Sequence, residues 1–224
     1  MVHKRNQYPG RKASGFSILE MMIVLTVAGL LSAIAIPQMI AARRLTRSVA
    51  VTREIGTQLR LARQLAMSTR KAYTFVYDDV AKDLRVIGPI DTGTLPLNDA
   101  AYPNNPATPT NPLGSRVQAV SALDQQGLYG ADVIYGKPVL VPAVPPGPLV
   151  DGVNVTALVA NKLCITFQPD GSVINSVTGN PESKAMFFYN NRAAKDTASA
   201  ISVLGASGRI KVWRYNPNGN IYAE

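Results

Sequence analysis

Cysteine is nearly absent from this chain. Cys164 stands alone among 224 residues, so no intrachain disulfide can form and the fold rests on packing. Leu163 and Ile165 flank it in a strand-like run, which reads it as a small buried core residue. Histidine is equally scarce. His3 lies far from Cys164 in sequence, in a basic N-terminal stretch. That argues against a Cys–His nucleophile pair, and Cys/His zinc spacing is missing. No glycine-rich phosphate loop is present, since "GASGRI" lacks the lysine and the following helix. Asp78, Asp79 and Asp83 cluster around one turn, but without the Glu and Gly of a dedicated calcium loop they read as turn aspartates. The chain therefore reads as non-enzymatic, with no cofactor and no metal site.

Acidic residues are also missing from one part of the chain. Residues 1–15 hold Lys4, Arg5, Arg11 and Lys12 and no acid, and residues 16–71 hold only Glu20 and Glu54 against eight basic residues. The formal charge of +9 thus belongs to the N-terminal third, and residues 72–224 are close to neutral. A nucleic-acid argument from the whole-chain charge would mislead.

What the N-terminal third does have is a long apolar run, "GFSILEMMIVLTVAGLLSAIAIP", from Gly15 to Pro37. It is too long for the apolar core of a secretory signal peptide. Phe16 to Ile36 as a helix would extend about 31 Å, close to the roughly 30 Å of a bilayer's hydrocarbon core. The preceding basic residues hold the N-terminus on the cytoplasmic side and send the rest of the chain across. A plain anchor leaves Glu20 unexplained, because a carboxylate within a membrane segment costs on the order of 2.5–3.5 kcal/mol and usually has a partner or a function.

The stretch "SGFSILEMMIVLTVAGLLSAIAIP" resembles the N-terminal signal of type IV pilins and type II secretion pseudopilins. The resemblance implies that a prepilin peptidase cuts after Gly15 and that the new N-terminus, Phe16, is methylated. Glu20 and Pro37 fall at mature positions five and twenty-two, as in that family. It further implies that Glu20 pairs with the free amine on Phe16 of a neighbouring subunit, so that a charge costly in the monomer becomes a registry device in the polymer. Pro37 has two readings: a kink at the membrane exit, or, by the resemblance, a point near which filament helices melt.

Beyond Pro37 the pattern stays helical. Leu45, Val49, Ile55, Leu59, Ala62, Leu65 and Ala66 recur mostly at spacings of three and four, which predicts one long helix ending near Thr69–Lys71. This apolar stripe requires a sheet to cover it. The arginines along the helix suit lipid head groups, phosphates, or acidic partners in an assembly. "AYTFVYDD" and "KDLRVI" read as a hairpin. From Gly88 to Pro148 lie eleven of the sixteen prolines, predicting a long insertion of irregular structure with short strands near Val133–Tyr135 and Val139–Val141. "KLCITFQPDGSVIN" reads as strand, turn and strand, and "AMFFYN", "AISVLG" and "RIKVWRYN" as three further strands.

The ending, "ITFQPDGSV" followed by "AISVLGASGRIKVWRY", is similar to that of H-type minor pseudopilins and FimT/FimU-like minor pilins. The proline-rich insertion and the tail "NPNGNIYAE" depart from that pattern. The expected fold is α+β: a long N-terminal helix on an antiparallel β-sheet body. The expected organisation is a leader at 1–15, a membrane or filament-core helix at 16–37, an amphipathic helix at 38–71, and a periplasmic body at 72–224 with the insertion at about 88–150. The expected function is that of a minor pilin or pseudopilin in a type IV pilus or type II secretion pseudopilus. Its partners by this resemblance are other pilin subunits, prepilin peptidase, an inner-membrane assembly platform and membrane lipid. The alternative is a DNA-binding minor pilin in DNA uptake, with Arg209, Lys211 and Arg214 as phosphate contacts. Lys211 and Arg214 would point to opposite faces of one strand.

Overall fold

The computed structural model describes residues 17–90, 117–123, 132–138, 151–175, 178–218 and 221–223. By its internal contacts the chain divides into two units, Met1–Ala41 and Ala42–Glu224. One helix, α1, runs Ile18–Thr69 and belongs in part to each.

In the first unit α1 is apolar around its circumference. Ile18, Leu19, Leu30, Leu31 and Ile34 are all exposed. An apolar window with mean hydropathy 2.3 makes this helix long and apolar enough to cross a membrane. Two of its hydroxyls bond back onto the helix itself. Thr26 Oγ1 donates to the carbonyls of Met22 and Ile23 at 3.0 and 2.8 Å, and Ser32 Oγ donates to Ala28 at 2.7 Å. Hydroxyls satisfied by the preceding turn are compatible with hydrocarbon. Pro37 lies inside the helix, where its ring removes the bond that would reach the Ala33 carbonyl.

In the second unit α1 acquires a buried face made of Ser48, Val51, Thr52, Ile55, Gly56, Leu59, Ala62 and Ala66. The observed stripe differs from the one read in sequence. Leu45 is 46% exposed, while Ser48 and Thr52 are buried. Their hydroxyls explain why: Ser48 donates to the Thr197 carbonyl at 2.6 Å, and Thr52 shares a 2.7 Å hydrogen bond with Ser199. A satisfied hydroxyl is tolerated in a core where an unsatisfied one is not. The helix ends where Arg70 turns into the left-handed region at φ 55°.

Among the described residues ten strands follow, in two five-stranded antiparallel sheets. The first sheet comprises β1 (Ala72–Asp78), β2 (Asp83–Ile90), β3 (Val117–Ala122), β5 (Lys162–Phe167) and β6 (Val173–Ile174), in the order β3-β2-β1-β5-β6. The second comprises β4 (Val133–Tyr135), β7 (Lys184–Asn190), β8 (Ser199–Val203), β9 (Ile210–Asn216) and β10 (Ile221–Ala223), in the order β10-β9-β8-β7-β4. A single turn of helix, α2 (Ala194–Thr197), joins β7 to β8. The main core draws on α1 and both sheets: Ile55 and Leu59 meet Tyr73, Phe75 and Tyr77 of β1, Phe167 of β5, and Phe188 and Ile201 of the second sheet.

The expected hairpin is present, with Tyr77 opposite Leu84 and Asp78 opposite Asp83. The short strand expected near Val133–Tyr135 is β4, whereas β3 lies within the stretch read as irregular insertion and β10 lies in the tail, where no strand was read. The strand expected near Val139–Val141 lies outside the described residues.

Candidate functional site

No group of three or more His, Cys, Asp or Glu side chains that could hold a metal occurs among the described residues. The aspartates of the β1–β2 turn are engaged locally. Asp78 Oδ1 accepts from the amides of Val80 and Ala81, both at 2.9 Å. Asp79 accepts from Lys82 Nζ at 2.7 Å, and Asp83 pairs with the Arg85 guanidinium. Burial holds the Asp83 carboxyl above its ordinary range despite Arg85. The reason is visible in its Oδ1, which is buried with no hydrogen-bond partner. Cys164 is a buried thiol outside any disulfide, packed with Ala72, Val76 and Ile87 in a small cluster on β1, β2 and β5.

Glu20 sits in the first turn of α1, on the exposed part of the helix. No hydrogen bond or ion pair engages its carboxylate among the described residues. An acid at a helix N-terminus gains about 0.3–1 kcal/mol from the helix dipole. That is well short of the roughly 2.5–3.5 kcal/mol an intramembrane carboxylate costs, so helix electrostatics alone do not account for it. Gly15 and Phe16 lie outside the described residues.

The C-terminal cations are not brought together. Arg209 reaches Asp151 at 3.3 Å, and Asp151 also accepts from Ser202 Oγ at 2.6 Å. Trp213 Nε1 donates to the same Ser202 at 2.8 Å. Lys211 lies over the Trp213 ring, 4.8 Å from its centroid. Arg209, Lys211 and Trp213 thus share the outer face of β9, where Trp213, Val153 and Val155 pack on a small apolar cluster of the second sheet. Arg214 takes the opposite face, towards α1, in a cleft that also receives Arg53 and Arg60. That grouping is not legible in the sequence, because Arg214 lies more than 150 positions beyond Arg53 and Arg60.

The glycines of the C-terminal segments have a structural role. Gly171, in the β5–β6 turn, and Gly208, in the β8–β9 turn, have φ of +83° and +58°. A β-carbon at Gly208 would lie 1.7 Å from the Gly171 carbonyl oxygen. Both turns approach the helix: Arg63 Nη2 donates to the Ser207 carbonyl at 3.1 Å, and Gly171 lies beneath Met67. "PDGS" and "GASG" are thus two parts of one contact, in which backbone meets backbone without side chains.

Residues 10–36 match the family model of the prokaryotic N-terminal methylation motif, so the motif extends over the first turns of α1. A comparison with curated proteins returns no match. Among solved structures, the chain is similar to the type IV minor pilin FimU of Pseudomonas aeruginosa in two crystal forms. One shares 16% identity at a TM-score of 0.42, covering 78% of this chain and 91% of that one. The other shares 16% identity at a TM-score of 0.40, covering 78% and 96%.

Proposed function

We propose that the protein is a minor pilin or pseudopilin, a structural subunit of a type IV pilus or type II secretion pseudopilus. The observation that carries this reading is a coincidence on one segment. The methylation motif overlaps the N-terminal part of α1, where exposed apolar side chains surround the helix and the one charge before Arg43 is Glu20, whose carboxylate has no partner among the described residues. Prepilin peptidase cuts after Gly15, and the amine of Phe16 is methylated. Before assembly the chain is held in the inner membrane by α1, with its N-terminus cytoplasmic, as the basic residues preceding the run require, and its body periplasmic. The body contributes the outer surface of the filament.

Glu20 then works by energetic contrast. The carboxylate is costly in hydrocarbon and is neutralised by the N-terminal amine of an adjacent subunit, so correct axial register is favoured over its neighbours. Mass spectrometry of the protein from cells containing prepilin peptidase is expected to find a methylated Phe16 at the N-terminus. An intact Met1 or a cut elsewhere refutes the reading. Glu20→Ala is expected to leave the cut unchanged and to lower incorporation into sheared filaments by about tenfold or more, the factor that corresponds to losing 1.4 kcal/mol. Equal incorporation removes the registry role.

A further inference from the structure

A cleft of about 440 Å³ opens within the body unit. One wall is α1 from Leu45 to Arg60, and the other is formed by residues 196–199 with Val212, Arg214 and Tyr215. Three guanidinium groups line it, those of Arg53, Arg60 and Arg214, against the single carboxylate of Asp196. Among the described residues, no hydrogen bond or ion pair engages any of these three guanidiniums. The Arg60 guanidinium folds back along the helix over Gly56, where an added methyl group would be in ordinary van der Waals contact with its Nη1 at 3.6 Å and with Cγ2 of Val212 at 3.7 Å.

The other donors in the cleft are already committed. Ser48 donates to the Thr197 carbonyl at 2.6 Å, Thr57 to the Arg53 carbonyl at 2.9 Å, and Thr197 to the Ala193 carbonyl at 2.6 Å. Thr52 and Ser199 bond each other at 2.7 Å. What the cleft offers a ligand is therefore guanidinium N–H and positive charge. The complement is an acceptor-only anion, and guanidinium pairs well with carboxylate and phosphate alike. Two features favour carboxylate on a polypeptide over nucleic acid. Single-strand binding relies on aromatic faces for bases to stack on, and Tyr215 in the lining is only 7% exposed. Asp196 would also repel a polyphosphate while leaving room for isolated side chains.

We propose that this cleft is a docking site for a carboxylate-bearing segment of a neighbouring protein subunit. The acidic segment inserts between α1 and β9, and its side chains pair with Arg53, Arg60 and Arg214. The pocket stands on the body's geometry, whereas the identity of the partner as a filament neighbour rests on the function proposed above.

The test uses the full-length processed chain in non-ionic detergent micelles, titrated with hexaglutamate peptide, inorganic phosphate and a short single-stranded oligonucleotide at low and high salt. Hexaglutamate is expected to bind at low salt and to be released as salt rises. The double variant Arg53→Gln/Arg60→Gln and the single variant Arg214→Gln are each expected to weaken binding by about tenfold or more, with an unchanged unfolding midpoint. Arg43→Gln/Arg44→Gln, outside the cleft, is expected to leave affinity within about twofold. Failure of hexaglutamate to bind, or equal losses from cleft and control variants, overturns the proposal. Tighter binding of the oligonucleotide through the same three arginines assigns the cleft to nucleic acid and also overturns it. Saturation by phosphate that displaces the peptide completely reduces the cleft to a small-anion site. None of these outcomes depends on filament formation, so a failure here is separate from an unmethylated Phe16.

Discussion

At the scale of single residues, the strictest demands come from two glycines. At Gly208 an added methyl meets a carbonyl oxygen that cannot move without shifting the β5–β6 turn, and the left-handed backbone adds about 1–2 kcal/mol. Gly208→Ala is expected to destabilise the body by more than about 4 kcal/mol in urea denaturation, a size tied to backbone overlap. Gly171→Ala meets Met67 Sδ at 3.0 Å and Arg63 Nε at 3.2 Å, the ends of side chains that can give way. Its cost is expected to be smaller, about 1–3 kcal/mol. Equal costs would show that the two turns do not press together. Asp83 makes the second residue-level case. Its folded pKa is raised by burial, so the native state holds the proton more tightly than the unfolded chain does. The associated stability is fully present below the unfolded pKa of about 3.9 and is lost as pH rises through the raised value. Thermal melts of Asp83→Asn are expected to gain on the parent as pH climbs through that window. A constant difference across pH would contradict the burial of an unpaired Oδ1.

At the scale of elements, α1 shows how one helix serves two environments. Before Ala42 its apolar side chains are exposed all round, and beyond Val49 they are confined to one stripe. Periodicity indicated the second environment and assigned Leu45 and Leu59 to the same stripe. The structure separates them, with Leu59 fully buried and Leu45 46% exposed in the cleft wall. Leu59→Ala is expected to cost about 2–5 kcal/mol by leaving a cavity, and Leu45→Ala less than about 0.5 kcal/mol. Chemical denaturation of both variants checks this, and a large loss at Leu45 would place it in the core after all.

At the scale of the whole molecule, the stable core is assembled within residues 42–224. Every side chain in the main core cluster, from Val51 to Val203, belongs to that unit. A chain lacking residues 1–41 is expected to unfold cooperatively in plain buffer, with no detergent, at a midpoint close to that of the full protein in micelles. Aggregation or a broad, non-cooperative melt would mean that the apolar segment contributes to the fold of the body. The near-neutral body and the basic helix also separate at this scale, and Arg53, Arg60 and Arg214, which have no hydrogen bond or ion pair among the described residues, lie where helix and sheet meet.

The sequence by itself determined what depends on short-range pattern. An apolar run of membrane length, the 3.6-residue period beyond it and the strand-like runs of β1, β5 and β7 are all local, and each produced the element expected. The methylation motif is equally local, a fixed order of residues along one segment. Tertiary structure alone decided what depends on contact between distant positions. Ser48 and Thr52 are polar in sequence and are buried only because Thr197 and Ser199 meet them. Gly171 and Gly208 are ordinary turn glycines until the two turns press together. Arg53, Arg60 and Arg214 become one site because β9 lies against α1. The reason is the same in each case: propensity and periodicity act over a few residues, whereas burial and charge complementarity are properties of surfaces that exist only once the chain has folded.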